Sequence, residues 1–168
     1  MQHVAVIGGT GQLGSALARR WSRAGWRITI GSRDAERAAR MADTLGAGAD
    51  ASVAGADYVG AAAAAEVIVV AVPFASQADV LASIRPVTAG KIVIDTTVPL
   101  MPPKVMRVQL PAEGSAAVRA QRLLGDEVTV VSAFHNVAAH RLAADASVDC
   151  DVLVFGDKRE ARQVAVDL

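Results

Sequence analysis

The stretch HVAVIGGTGQLGSALARRWSRAGWRITIGSR, residues 3–33, predicts the fold of this chain. Its apolar start predicts a strand over residues 3–8, and the helix-period segment after it predicts a helix over 12–25. The next apolar run predicts a second strand over 27–31. Between the first strand and the helix lies GTGQLG, a GxGxxG pattern. A strand–turn–helix–strand unit of about thirty residues with such a turn is typical of dinucleotide-binding proteins.

The three glycines of this pattern, Gly9, Gly11 and Gly14, have separate physical roles. One allows the tight turn, one lets a pyrophosphate approach the backbone, and one lets the helix pack closely against the strand. The helix that follows directs unpaired N–H groups and the positive end of its dipole at the phosphates. We therefore predict a phosphate-binding turn. A glycine-rich turn in another kind of parallel-sheet protein is the alternative.

The end of the second strand indicates which dinucleotide binds. An acidic residue there would bond the ribose 2′-hydroxyl, whereas an arginine accommodates a 2′-phosphate. This chain has Ser32 and Arg33, with Arg37 one helical turn further on. Guanidinium groups bind phosphate through paired, charge-assisted hydrogen bonds, so the pattern predicts NADP(H). Asp34 stands where a helix N-cap is expected; the alternative for the arginines is that they are solvated helix charges.

The rest of the chain alternates short apolar strands with helix-period segments, which predicts an α/β fold with a doubly wound parallel sheet. It is a Rossmann-type domain with three layers, and we take residues 1–168 as one domain. The further strands are predicted at 66–72, 91–95, 127–132 and 151–155, with a weaker one near 51–53. The further helices are predicted at 34–46, 55–64, 76–85, 115–124 and 157–167.

Residues 96–114 have no regular pattern and contain four of the six prolines. Long irregular connections in compact domains are often binding loops, although a mobile surface connection is the alternative. At its other end the chain stops inside a predicted helix, DKREARQVAVDL, with no residue after it that would end the helix. We therefore expect the natural protein to continue further.

Composition narrows the range of partners. The 17 basic and 17 acidic residues balance, so charge gives no reason to expect nucleic acid or an anionic membrane as partner. The apolar stretch from Val59 to Phe74 is interrupted by Glu66 and is too short to span a bilayer. The one cysteine, Cys150, excludes an internal disulfide and fits a cytoplasmic protein.

Two common chemistries do not fit the sequence. Short-chain dehydrogenases need a tyrosine with a lysine four residues later, but the single tyrosine, Tyr58, is followed at that spacing by Ala62. The three histidines, His3, His135 and His140, form no metal-binding motif, so we expect no metal. The single candidate for acid–base catalysis is His135, which follows a predicted strand. A structural histidine is the alternative. Hydride transfer between two carriers depends on alignment more than on proton transfer, so it suits such a site.

Five segments together resemble a known family, the NADPH-dependent reductases of the deazaflavin coenzyme F420 (F420:NADP oxidoreductases). They are VIGGTGQLGSALARRWSRAGWRITIGSRD, VIVVAVPF, KIVIDTTVPL, AEGSAAVRAQRLLG and VVSAFHNVAAHRL. Their order and spacing cover essentially the whole chain. Members of this family are longer and end in a helical region that this chain lacks.

The resemblance implies an enzyme that transfers a hydride directly between NADP(H) and F420, and it assigns residues to both ligands. It implies that Thr10, Gln12 and Leu13 contact the pyrophosphate, that Val72 and Pro73 lie along the nicotinamide ribose, and that Ala133 holds the nicotinamide ring. For the deazaflavin ring it implies a pocket of Val98, Pro99, Leu100, His135 and Asn136. It also implies a homodimer. Two other functions remain open: an NADPH-dependent reductase of another flavin or small acceptor, and a non-catalytic NADP-sensing module.

Overall fold

The computed structural model describes residues 3–47, 52–100, 107–144 and 146–168. Its strands are β1 (His3–Ile7), β2 (Arg27–Ser32), β3 (Val53–Asp57), β4 (Val67–Val70), β5 (Ile92–Asp95) and β6 (Thr129–Ser132). Its helices are α1 (Gln12–Arg23), α2 (Ala35–Gly46), α3 (Tyr58–Ala64), α4 (Phe74–Ile84), α5 (Ala116–Leu124), α6 (Ala139–Ala143) and α7 (Arg159–Asp167). A short 3₁₀ turn, Arg85–Val87, follows α4.

The six strands form one parallel sheet in the order β3-β2-β1-β4-β5-β6. Strands β2 and β3 lie on one side of β1, and the chain then crosses to the other side to form β4, β5 and β6. Ligands of such sheets bind in the crevice at the carboxyl ends of the strands where this change of side occurs, here β1 and β4. Hydrogen-bond register places Ile7, Gly31, Val70, Asp95 and Ser132 at one level, next to that crevice. The residues that follow these five therefore lie along a single edge of the sheet.

Both faces of the sheet are covered, because successive strand residues alternate between two hydrophobic cores. Val4 and Val6 of β1 pack on the side of α1 and α2, where α6 and α7 also contribute. Ala5 and Ile7 pack on the side of α3, α4 and α5. Burial of each such aliphatic side chain contributes about 1.5–3 kcal/mol to stability. The predicted three-layer, doubly wound fold is confirmed.

One predicted strand is absent, and several predicted bounds differ from the structure. The strand predicted at 151–155 is absent: Phe155 forms one isolated antiparallel bridge with Ser132, and Leu153 is exposed. The strand predicted near 51–53 is longer and lies at 53–57, although residue 51 itself is outside the described residues. The helix predicted at 55–64 begins only at Tyr58, because the Asp57 carboxylate caps it by accepting a hydrogen bond from Gly60 N at 2.6 Å.

Helix α6, which has five residues, was not predicted. The irregular connection at 96–114 has neither helix nor strand in its described parts, apart from an isolated bridge between Leu100 and Val108; residues 101–106 lie outside the described residues. Among the helices that the structure describes, none is long and apolar enough to cross a membrane.

Candidate active site

The turn after β1 has the tight geometry expected of a phosphate-binding loop. Gly8 has a φ of +84°, in the left-handed region that side chains disfavour. The N–H groups of Gly8 and Gly9 both donate to the Gly31 carbonyl, at 3.0 and 3.2 Å, and Gly11 N donates to the Gly8 carbonyl at 2.9 Å. Gly8 was not among the predicted site residues. The signal for it was the glycine pair at positions 8 and 9.

Gly14 brings the first turn of α1 against this loop. A Cβ on Gly14 would lie 2.5 Å from the Gly8 carbonyl oxygen, so only glycine allows this approach. Gly11 is the N-cap residue of α1 and has no side chain with which to cap it. The N–H groups of the first turn therefore have no side-chain cap among the described residues. Thr10, Gln12 and Leu13 lie around this uncapped helix start and are exposed or half-buried.

The end of β2 carries the residues predicted to recognise the 2′-phosphate. Ser32 is buried, and its hydroxyl oxygen accepts a hydrogen bond from Asp34 N at 3.3 Å. Asp34 caps α2 as predicted, since its carboxylate accepts a hydrogen bond from Arg37 N at 3.0 Å. Arg33 and Arg37 are exposed, and neither guanidinium has a partner within the described ranges. Arg40 of the same helix differs, because it pairs with Glu36 at 3.6 Å.

The loop after β4 closes the other side of the crevice. A Cβ on Gly8 would lie 2.5 Å from the Ala71 carbonyl oxygen, so the two loops are in contact. Val72 is buried there, and Pro73 is exposed at the start of α4. The structure thus places the residues predicted for the pyrophosphate and for the nicotinamide ribose side by side.

Three of the five residues predicted for the deazaflavin pocket line one small cavity. Val98, Pro99 and His135 are among the walls of a cavity of about 190 Å³ at the carboxyl ends of β5 and β6. Leu100 is instead 43% exposed and is not a wall of this cavity. Asn136 is exposed, and its side-chain nitrogen donates to the Asp151 carbonyl at 2.7 Å. The remaining walls were not predicted; they are Thr97, Val108, Leu110, Ser115, Ala116, Ala117 and Ser132.

A turn after β6 orients His135. Phe134 has a φ of 64°, the one non-glycine residue in the left-handed region within the described ranges. Such backbone strain is concentrated at functional sites. Ala133 before it is buried, and Phe134 itself packs edge-on against Trp21, with ring centroids 5.7 Å apart. The Nε2 atom of His135 lies 2.9 Å from the Ser132 hydroxyl.

The two titratable groups beside this cavity have shifted pKa values. Burial lowers the pKa of His135, and a hydrogen bond with the Asp95 backbone partly opposes this change. His135 is therefore a neutral imidazole at neutral pH. Burial raises the pKa of Asp95 to about 6, although hydrogen bonds from Thr97 and Gln77 stabilise the carboxylate. Asp95 was not predicted as a site residue.

A wider cavity of about 590 Å³ lies near the far end of α1, between this helix and α6. Its walls include Leu17, Trp21 and Leu142, and none of the predicted site residues is among them. The sequence prediction and the strand-end geometry both favour the crevice instead.

Residues 3–99 match the family model described as "NADP oxidoreductase coenzyme F420-dependent". This segment contains the glycine turn, both candidate arginines and three walls of the cavity, Thr97, Val98 and Pro99. The chain belongs to this family.

Curated relatives extend the similarity beyond residue 99. The chain is 44% identical over 173 aligned residues to the F420-dependent NADP reductase of Methanothermobacter thermautotrophicus, covering 98% of this chain and 75% of the relative. It is 36% identical to the protein of the same name from Methanocaldococcus jannaschii, covering 98% of this chain and 77% of that one. The resemblance inferred from the sequence segments is confirmed. The family is one of oxidoreductases, as predicted.

Solved structures with the same fold are more distant in sequence. A glycerol-3-phosphate dehydrogenase from Coxiella burnetii superposes with a TM-score of 0.73 at 14% identity, over 99% of this chain and 50% of that chain. A pyrroline-5-carboxylate reductase from the same organism gives a TM-score of 0.65 at 15% identity, over 98% and 53%. The chain thus spans about half the length of these proteins. At such low identity they support the Rossmann-type fold alone.

Proposed function

We propose that this chain transfers a hydride directly between NADP(H) and coenzyme F420. The balanced reaction is NADPH + F420 + H⁺ giving NADP⁺ and reduced F420, in either direction. When bound, the nicotinamide and deazaflavin rings supply the hydride donor and acceptor. The protein's part is to bind both rings, align them and exclude water.

Arg33 and Arg37, which have no partner among the described residues, support the NADP(H) half of the proposal. An exposed guanidinium is available for a phosphate. Arg33 directly follows the buried Ser32 at the end of β2, and Arg37 lies in the first turn of α2. The uncapped start of α1 offers N–H groups to the pyrophosphate at the same edge of the sheet. Gly9, Thr10, Gly11, Gln12, Leu13 and Gly14 would surround the pyrophosphate, and Val72, Pro73 and Ala133 would adjoin the nicotinamide half.

The cavity at the ends of β5 and β6 supports the acceptor half. Val98 and Pro99 give it apolar walls, and His135 and Ser132 give it a few polar atoms, which suits a flat aromatic ligand. His135 is neutral and bonded to Ser132, so we assign it to orienting the ring rather than to acid catalysis. Leu100 and Asn136 are not walls of this cavity, and their contact with the ring stays a prediction.

A spectrophotometric assay tests the proposal. Purified protein is mixed with NADPH and oxidised F420, and the visible deazaflavin band is followed together with the NADPH band. We expect both bands to decrease together, at equal molar rates. Parallel titrations with NADPH and NADH should show clear preference for NADPH. Failure to bind either dinucleotide would contradict the proposal.

The same assay distinguishes the two other functions. NADPH oxidation with FMN or FAD but not with F420 would indicate a reductase of an ordinary flavin. Tight NADPH binding with no oxidation by any of these acceptors would indicate an NADP-sensing module.

The proposal extends to a cytoplasmic homodimer. Cys150 is a free, exposed thiol, which suits a reducing compartment. Leu110, Leu153 and Phe155 expose most of their apolar side chains, which suits a contact between subunits. Light scattering over a range of protein concentrations tests the dimer. A monomer at every concentration would contradict it.

A further inference from the structure

Three buried polar side chains form a cluster behind the cavity: Gln77 of α4, Asp95 of β5 and Thr97 of the loop that follows. Their exposed fractions are 0%, 1% and 3%, so the cluster is shielded from water. Gln77 occupies a helix position that shares its face with the apolar Val80, Leu81 and Ile84, where a hydrophobic residue is the ordinary choice.

Hydrogen bonds join the three side chains closely. Gln77 Nε2 donates to Asp95 Oδ2 at 2.8 Å and to Thr97 Oγ1 at 2.9 Å, and the Ala116 carbonyl lies 3.2 Å from the same nitrogen. Thr97 donates to the carboxylate twice, from its N–H to Oδ1 and from its hydroxyl to Oδ2, each at 3.1 Å. The cluster therefore connects α4, the end of β5 and the first residue of α5.

The cluster is poorly suited to stabilising the fold. Gln77 Oε1 is buried and has no hydrogen-bond partner among the described residues, which is unfavourable in an apolar interior. Burial also raises the pKa of Asp95 to about 6, which means that the ionised carboxylate is disfavoured there. Buried polar groups that are not fully satisfied call for a specific explanation, and a functional role is one.

Each member of the cluster is itself a wall of the cavity or is connected to one by a hydrogen bond. Thr97 and Ala116 are themselves walls, and Thr97 is followed by Val98 and Pro99. The Asp95 carbonyl accepts a hydrogen bond from Ala133 N at 3.2 Å, two residues before His135. A change in the geometry of the cluster would therefore move three walls of the cavity relative to one another. None of these hydrogen bonds reaches the turn after β1, Arg33 or Arg37.

We propose that Gln77 is a positioning residue that holds the Thr97–Pro99 loop and the start of α5 at the separation the hydride acceptor requires. This inference rests on the proposed function, because it concerns the acceptor pocket. Gln77 acts through Thr97 and Ala116, and it sets the KM for F420 while leaving the affinity for NADPH unchanged.

Two sets of variants test the role. Gln77→Leu removes the carboxamide at nearly constant size, and Thr97→Val replaces the hydroxyl by a methyl group. Thr97→Ser keeps the hydroxyl and is the comparison for Thr97→Val. With the hydrogen bonds lost, we expect the KM for F420 to rise about tenfold in Gln77→Leu and about fivefold in Thr97→Val. Thr97→Ser, which keeps the hydroxyl, should raise this KM less than Thr97→Val does. The Kd for NADPH should change less than about twofold in all of them, since the phosphate-binding turn is untouched.

The outcomes separate the two proposals. Wild-type protein that leaves F420 unreduced refutes the proposed function, and this inference with it. Active wild-type protein with an unchanged KM for F420 in both Gln77→Leu and Thr97→Val refutes the positioning role alone. Equal losses for NADPH and F420, together with a lower Tm, would show that the cluster is merely structural. If Gln77→Leu does not fold, the comparison of Thr97→Val with Thr97→Ser decides.

Discussion

Replacing Asp95 by asparagine should reduce the pH dependence of folding stability. Burial raises the pKa of this carboxyl from its ordinary value of 3.8 to about 6. At 1.36 kcal/mol per pH unit, this difference corresponds to about 3 kcal/mol of unfolding free energy. The folded state holds the proton more tightly than the unfolded state does. The stabilisation is therefore complete below about pH 4 and is lost as the pH rises through about 6.

The measurement is urea unfolding, followed by the fluorescence of Trp21 and Trp26, at several pH values. About 2 kcal/mol of the effect falls between about pH 4.5 and about pH 7.5, so wild type should lose that much more stability than Asp95→Asn over this interval. Asp79→Asn, which removes an exposed carboxylate from α4, is the control for loss of a negative charge. Parallel profiles for wild type and Asp95→Asn would refute the reasoning, because Asp95 would then ionise equally well in both states.

Further predictions concern the nucleotide half of the site. Arg33→Ala should weaken NADPH binding by about 1.5–3 kcal/mol, the scale of a lost charge-assisted bond, and should leave NADH binding unchanged. The control for Arg33→Ala is Arg40→Ala, which removes an arginine that is paired with Glu36, and both variants are measured by fluorescence titration. Equal losses of NADPH and NADH binding in Arg33→Ala would exclude a contact between Arg33 and the 2′-phosphate. Gly14→Ala should lower the unfolding free energy by about 1–3 kcal/mol through overpacking. The control is Gly46→Ala, whose Cβ would meet nothing within 4 Å and which should not lower the Tm measured by calorimetry. A similar decrease in Tm for Gly14→Ala and Gly46→Ala would contradict the role of overpacking. Asp34→Ala should lower the unfolding free energy by about 1 kcal/mol through loss of the α2 cap, and unchanged stability in urea unfolding would show that the cap contributes nothing.

The sheet was predictable where strands are continuous apolar runs buried on both faces, as in β1, β4 and β5. The same signal failed at 151–155, because an apolar run does not reveal whether a neighbouring strand is present to pair with it. It was also weak at VAGADYVGAAAA, where small side chains give almost no periodicity. The boundary there depends on one hydrogen bond, from Gly60 N to the Asp57 carboxylate.

The candidate site was predictable at the residues that a strand end or a helix start fixes in place. Arg33 and Val72 lie at the expected edge because the register of the sheet brings them there. Leu100 and Asn136 belong to irregular connections, where no periodicity tells which way a side chain points. Gln77 was not predicted as a site residue, although a polar residue on the apolar face of a helix indicates a buried hydrogen-bonding partner.

Two different kinds of backbone form the two halves of the proposed site, which are a dinucleotide half and an acceptor half. The dinucleotide half is made by a tight turn and by helix starts seated on strands whose ends are in register, so its shape depends on the whole sheet. The acceptor half is made largely by irregular segments after β5 and β6, whose replacement would leave that sheet intact. Sequence changes in these segments would therefore alter the specificity for the electron acceptor without altering recognition of the dinucleotide.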